Sequence, residues 1–275
     1  MSYQIVKIFN NNVILAKQNK QEMILVSRGI GFGKKKGELI DVDSKTIEKV
    51  FHQRDEDGSS KYLKMIPQYK KEVIGVSEEI ISEGKKILGP LSPNIHMALV
   101  DHITFALDRI HMGLPIENPF TDEITLLYHK EYEVAELAAT LLKERLGIDI
   151  GDDEKGFIAL HLHSAHMNKT IRETMKDTRL FKACLDIVLE ETSEKQGNND
   201  YMYQGFIPSL KAILNLSRQK KTIKNPLRKE IKSKIKESYS VAKKIGVLVE
   251  SETDITLSED MMAYIAMDIE KVCQF

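Results

Sequence analysis

Apolar and polar residues follow one period over the first forty positions and another over the rest of the chain. Tyr3 to Phe9, Val13 to Ala16 and Glu22 to Val26 are short runs of β-favouring residues. They are separated by Asn10-Asn11-Asn12 and by the polar stretch Lys17 to Gln21, which read as hairpin turns. The pattern predicts a small antiparallel β unit. From about Thr46 the spacing becomes helical. Ile95, Leu99, Ile103, Leu107 and Ile110 fall on one helical face, as do Val134, Leu137, Leu141 and Leu142. Gly113-Leu114-Pro115 and Asn118-Pro119 interrupt these runs, since neither residue type continues a helix well. Asp55-Glu56-Asp57-Gly58-Ser59-Ser60 is polar and suits a linker between the two parts.

The helical part repeats itself. Asn118-Pro119 aligns with Asn225-Pro226, Glu123-Ile124 with Glu230-Ile231, Tyr132 with Tyr239, Val134-Ala135 with Val241-Ala242, and Ile158-Ala159 with Ile265-Ala266. Every pair is 107 positions apart, as 225 is from 118. Identities held at one offset without a gap indicate two copies of one helical unit. The expected fold class is therefore multidomain α and β, a small antiparallel sheet followed by two tandem all-α units.

Composition narrows the function. The chain has 275 residues, 42% of them hydrophobic and 29% charged, which describes a folded protein rather than a disordered one. Its net charge of -1 excludes a polycation that coats nucleic acid. That balance hides a local excess: residues 1 to 40 hold seven basic residues against two acidic ones. Cys184 and Cys273 are too few for a disulfide framework or a zinc site, and no run approaches eighteen uninterrupted apolar residues. The expectation is a cytoplasmic protein, neither exported nor membrane-spanning.

Gly29-Ile30-Gly31-Phe32-Gly33-Lys34-Lys35 has the wrong spacing for a P-loop and lacks the helix and second strand that a dinucleotide fingerprint needs. It reads better as a turn whose glycines allow positive φ, flanked by cations that meet phosphates. Arg28 and Phe32 supply a guanidinium and a stacking ring, and Asn10, Asn11 and Asn12 supply base-reading amides, a set suited to RNA. A solvated basic hairpin is the plainer alternative. His161, His163 and His166 invite a metal site, yet only the last two share a helical face and no HExxH pattern is present. No serine elbow or activated cysteine indicates a hydrolase, and no cofactor is called for. The repeat adds a clue: His102 corresponds to Ser209 and His161 to Asp268. Histidine nitrogen accepts phosphoryl groups, each adding about -1.5 to -2 charge. A phosphorylation switch and a pair of packed histidines both fit this pattern.

Two groups of motifs carry a resemblance. Lys7-Ile8-Phe9-Asn10-Asn11-Asn12-Val13 with Arg28-Gly29-Ile30-Gly31-Phe32-Gly33-Lys34-Lys35, and the ending Lys49-Val50-Phe51, resemble the co-antiterminator RNA-binding domain of bacterial antiterminators of the BglG/SacY/LicT family. These control sugar phosphotransferase (PTS) operons, and the Gly-Phe-Gly-Lys-Lys wording is most like the glucose-type members. Asn94 to Ile103 and Gly156 to His163 resemble the two histidine motifs of a PTS regulation domain. The resemblance implies an RNA-binding domain at 1-58, a regulation domain at 67-172 and a second, degenerate one at 173-275. It further implies a homodimer that grips an RNA hairpin in a leader transcript and prevents an overlapping terminator from forming. RNA contacts would fall on Lys7, Asn10, Asn12, Arg28, Gly29 and Phe32, with Ser27 replacing the glycine of many members. His102 and His161 would be phosphorylated by the sugar-specific permease, with His96 and His163 as second choices.

The second regulation domain departs from the pattern, because its acceptor positions are Ser209 and Asp268. The phosphocarrier protein HPr is not expected to act there. Asp268 either stands in part for a phosphate or belongs to a unit that only scaffolds the dimer. Two rival readings are a DNA-binding activator with the same regulation domains, disfavoured by strands where a helix-turn-helix would lie, and a metal-dependent enzyme using His161, His163 and His166.

Overall fold

The computed structural model describes residues 2–9, 11–19, 21–27, 29–42, 46–47, 49–52, 71–192 and 205–274. Contacts divide the chain into two units, Met1–Met175 and Lys176–Phe275. The proposed linker at 55–60 lies outside the described residues.

The first unit begins with an antiparallel sheet of β1 (Ser2–Ile8), β2 (Val13–Gln18), β3 (Gln21–Val26), β4 (Leu39–Asp41) and β5 (Lys49–His52), in the order β4-β1-β2-β3-β5. The first three match the runs read from the sequence, whereas β4 and β5 are additional, and β5 replaces the helical spacing expected from about Thr46 because Lys49 to His52 pair with the otherwise open edge of β3. In the β2–β3 hairpin Val13 opposes Val26 and Gln18 opposes Gln21. Asn19 takes the turn at φ 48°, a left-handed conformation that asparagine tolerates. The β1–β2 register slips between Ile5 and Lys7. There the Ile5 N–H donates to the Glu38 carbonyl at 2.9 Å and the Gly37 N–H donates to the Ile5 carbonyl at 2.7 Å, so a neighbouring loop satisfies the bulged strand.

Alternation along the strands sends side chains to two faces, and both are buried. Tyr3, Ile5, Ile14, Ala16, Met23 and Leu25 form one core with Ile30 and Ile40. On the other face Phe9, Val13, Ile24 and Val26 pack against Ile74 and Val100. Those two belong to α1 (Lys71–Leu88) and α2 (Ile95–His111), so sheet and helices share a core.

The first unit continues with α3 (Thr121–Leu127), α4 (His129–Leu146), α5 (Gly151–His166) and the start of α6 (Ile171–Thr192). Local chemistry sets the ends. Gly147 closes α4 in the left-handed conformation at φ 71°, its N–H donating to the Lys143 carbonyl at 3.0 Å. Asp152, Asp153 and Glu154 place negative charge on the first turn of α5. Thr170 and Glu173 form a reciprocal capping box at the start of α6. The second unit contains α7 (Ile207–Arg218), α8 (Arg228–Lys234), α9 (Lys236–Glu252) and α10 (Glu259–Gln274).

The internal repeat is visible in the geometry of each unit taken alone. Asn118 N–H donates to Asp153 Oδ1 at 2.9 Å, and Asn225 N–H donates to Asp260 Oδ1 at 3.2 Å. Asn118 Oδ1 accepts from the N–H two residues on, as does Asn225 Oδ1. Both copies break a helix at Tyr128 or Ile235, again 107 positions apart. Among the described residues no helix is long and apolar enough to cross a membrane.

The clasp constrains its surroundings. A Cβ added to Gly156 would lie 2.6 Å from Asn118 Nδ2, whereas one on Gly246 would meet the flexible Met262 sulfur at 3.2 Å. Gly156→Ala should therefore destabilise the first unit by about 1–3 kcal/mol through overpacking. Gly246→Ala should be neutral or should stabilise the second unit slightly, because alanine favours helix. Urea unfolding of the full chain, followed with a probe in each unit, checks the contrast.

Candidate functional site

Two regions bring together the residues singled out by sequence. The first is the loop after β3. The Ser27 N–H donates to the Asn12 carbonyl at 2.9 Å, the Gly31 N–H to the Asn11 carbonyl at 2.8 Å, and the Gly29 N–H to Asn12 Oδ1 at 2.8 Å. The loop is thus braced on the asparagine turn between β1 and β2. Gly29 and Gly33 have φ of 73° and 67°, which explains why glycine occupies those places. Ser27 is buried, its hydroxyl donating to the Thr46 carbonyl at 2.7 Å, so it is a packing residue rather than a surface contact. Phe32 is 71% exposed at the loop's tip. An aromatic ring held in solvent by a braced turn is a platform on which a base can stack. Lys7 lies over the Phe9 ring at 5.3 Å, while Lys34 pairs with Glu38 at 2.8 Å. Asn10 and Arg28 lie outside the described residues.

The second region lies between α2 and α5. His102 on α2 and His161 on α5 face each other with ring centroids 4.9 Å apart. Burial, reinforced by the neighbouring His102, pushes His161 down to about 3. Its ring is accordingly neutral near pH 7 and keeps a nitrogen lone pair, the electronic requirement for a phosphoryl acceptor. His161 also lines a cleft of about 340 Å³ with Ser92, Asn94, Ser164, Lys169 and Thr170. Glu154 stands on the other side of His102, 3.2 Å from its Nε2, and accepts a 2.6 Å hydrogen bond from Arg109 Nη2. Burial raises the Glu154 carboxyl, but His102 and Arg109 outweigh it and hold the group below its ordinary value.

The remaining histidines do other work. His96 is buried, with Nδ1 2.8 Å from both oxygens of buried Glu78, which makes it a core pair between α1 and α2. His163 Nδ1 and His166 Nδ1 lie 2.9 and 3.2 Å from Glu131 Oε1, and the His163 ring packs on Tyr128 at 3.9 Å. Burial pushes the Glu131 carboxyl up, and His163 and then His166 outweigh it, bringing it to about 2. His161 is not part of this cluster, and among the described residues no group has the arrangement of a metal site.

In the second unit Ser209 is half-buried, and Asp268 pairs with Lys271 at 3.3 Å. Ser238 donates to Glu270 at 2.6 Å at the places of Glu131 and His163. Sequence reasoning missed Arg109, Glu154 and Glu131. A signal existed: at the offset of 107 they become Leu216, Met261 and Ser238, changing along with the two histidines.

Two domain families match the chain. The PRD domain family matches residues 78–165 and 182–272, and the CAT RNA binding domain family matches residues 3–60. The chain is 33% identical over 274 residues to the transcription antiterminator LicT of Bacillus subtilis (strain 168), covering 98% of each. It is 30% identical over 278 residues to the beta-glucoside operon antiterminator of Dickeya chrysanthemi, covering 98% of this chain and 96% of that one. It is also 30% identical over 273 residues to protein GlcT of Staphylococcus haemolyticus (strain JCSC1435), covering 97% and 95%. A crystal structure of GlcT CAT-PRDI aligns at 35% identity with a TM-score of 0.48, over 60% of this chain and 98% of that one.

The neutral state of His161 has a measurable consequence. An unfolded histidine takes up its proton near pH 6.5, whereas folded His161 does so near 3. Between those values the unfolded chain binds more protons, so stability falls as pH drops through this window. Glu131, ordinarily near 4.5 and here about 2, adds its own loss below pH 4.5. The melting temperature of the first unit should decline from pH 6.5 to 4.5, and His161→Asn should flatten that slope while leaving the decline below 4.5 in place.

Proposed function

The chain belongs to the bacterial transcription antiterminators that join a CAT RNA binding domain to PRD domains, and we propose that it acts as a cytoplasmic homodimer that binds a hairpin in the leader RNA of a sugar phosphotransferase operon. It is a transcription regulator rather than an enzyme, as its relatives are. Binding keeps an overlapping terminator from forming. Phosphorylation of His102 and His161 by the sugar-specific permease silences the protein when that sugar is absent. The division into domains at 1–58, 67–172 and 173–275 belongs to the same reading.

The observation that carries it is the opposition of His102 and neutral His161 beside a cleft that includes His161. A ring already protonated at neutral pH would have no lone pair to offer. The alternative acceptors are less suitable: His96 is enclosed with Glu78, and His163 is engaged by Glu131 and Tyr128. Phe32, Gly29 and Asn12 support the RNA side of the reading, together with Lys7, Asn10 and Arg28 by sequence. In the second PRD, HPr has no histidine at either acceptor position, and the charge of Asp268 is offset locally by Lys271. That favours a scaffolding role over phosphate mimicry.

Direct titration of full-length protein with a family-type antiterminator hairpin and a scrambled RNA tests the function. The wild type should prefer the hairpin, with an affinity that falls as salt rises because phosphate contacts release counterions. Phe32→Ala should weaken binding about 10-fold, the scale of one lost base–aromatic stack. His102→Asp should abolish hairpin binding by imitating the silenced state. Equal binding of hairpin and scrambled RNA by the wild type would refute the reading.

A further inference from the structure

Arg109 is the least satisfied charged group in the first unit's described interior. Its side chain is 9% exposed and makes one hydrogen bond, from Nη2 to Glu154, while Nε and Nη1 are buried without a hydrogen-bond partner. Phe105 lies over the guanidinium with its ring centroid 4.9 Å away, shielding the charge from solvent. A buried donor left unpaired costs about 1–3 kcal/mol, and more when it is charged. An unsatisfied buried charge calls for a specific explanation, and one is a ligand that arrives only part of the time.

The surroundings identify the ligand's chemistry. Arg109 lies seven residues after His102 on α2, two helical turns along the same face. Both contact one carboxylate, Arg109 through Glu154 Oε1 and His102 through Oε2. Glu154 Oε2 and His102 Nε2 are themselves buried without a hydrogen bond. A planar guanidinium with two unpaired donor nitrogens, Nε and Nη1, matches a phosphoryl group, which offers three acceptor oxygens and a charge of about -1.5 to -2. The second unit supplies an independent comparison. Where the histidines are replaced by Ser209 and Asp268, Arg109 is replaced by Leu216, Glu154 by Met261 and Phe105 by Ala212. The arginine–glutamate pair thus disappears together with the acceptors, whereas the asparagine–aspartate clasp is kept in both copies.

We propose that Arg109 is the residue that holds the phosphoryl group once it is on His102, and that Glu154 occupies the guanidinium until then. This rests on the reading of His102 as an acceptor. In the step itself a ring-nitrogen lone pair of His102 forms the new N–P bond. The phosphorus–heteroatom bond to the carrier residue of a phosphorylated protein donor breaks, and its electron pair returns to that residue. The arriving dianion repels the Glu154 carboxylate and takes its place on Arg109. Arg109 is thus a phosphoryl-binding residue, and Glu154 is a placeholder at the first turn of α5, next to the Asp153 that clasps Asn118.

The test uses full-length protein phosphorylated by a phosphorylated sugar-permease domain. Site-resolved mass spectrometry follows His102, and circular dichroism confirms folding. Wild type, Arg109→Gln, Arg109→Lys and Glu154→Gln are compared for the rate of labelling and for the lifetime of the phosphohistidine after the donor is removed. Arg109→Gln should label about 10-fold more slowly or worse, the scale of one lost charge-assisted hydrogen bond. Arg109→Lys keeps the charge but loses the fork, and should label at an intermediate rate. Glu154→Gln should label faster and hold its phosphate longer than the wild type. Opposite effects at 109 and 154 distinguish a phosphoryl site from a structural ion pair, whose loss would impair both variants alike. If the wild type labels on His102 and both Arg109 variants match it, Arg109 does not hold the phosphoryl group and the acceptor reading stands. If Glu154→Gln is slowed as much as Arg109→Gln, the placeholder role is wrong and the pair is structural. If His102 in the wild type never acquires phosphate, the acceptor reading falls and this proposal falls with it.

Discussion

One buried carboxylate organises the histidine site. Glu154 reaches from the first turn of α5 to α2, where it meets His102 with one oxygen and Arg109 with the other. Taking a carboxylate out of water is costly, and its two basic neighbours offset that cost. Their combined pull holds Glu154 ionised against burial. Its neighbour in sequence, Asp153, fastens the turn at Asn118. Two consecutive acids at one helix start therefore divide the work: one fixes a loop that both units keep, and the other neutralises the charges that only the first unit carries.

The two helical units separate scaffold from chemistry. Both keep the Asn–Asp clasp and the kink at Tyr128 or Ile235, which are requirements of the backbone. Only the first keeps histidine, arginine and glutamate around α2 and α5. In the second, Met261 is buried where Glu154 stands, and it accepts a 3.2 Å contact from the Ser217 hydroxyl. Replacing a buried charge by an apolar side chain of similar size is a tolerable change for stability, so the fold survives the loss of these charged groups.

This separation explains what could be read from the chain alone. The sheet was legible because its faces alternate, and the helical part because Asn118-Pro119 and Asn225-Pro226 mark the same break twice. His102 and His161 stood out because their counterparts differ. Arg109 and Glu154 did not, because a charged residue on a helix is ordinarily a solvated one, and nothing in the spacing tells a buried arginine from an exposed one. Their partnership joins positions 45 residues apart and needs the packing of α2 on α5 to exist. The involvement of Ile74 and Val100 in the sheet's second core was equally hidden, since an apolar helix face does not reveal which surface it covers.

That shared core bears on how a charge placed on one helix can concern the sheet. Val100 is buried against Phe9, Val13, Ile24 and Val26, and His102 follows two residues later on the same helix. Phe9 and Val13 flank the asparagine turn on which the Phe32 loop is braced, and the Phe9 N–H donates to the Val13 carbonyl at 2.9 Å. The path from His102 to the Phe32 loop therefore runs through one helix, one apolar core and one turn. Close-packed interiors respond to a displaced side chain by repacking rather than by yielding smoothly. A dianion on His102, were one added as proposed, would bear on a helix already in contact with the sheet, so the site and the loop need no further element between them.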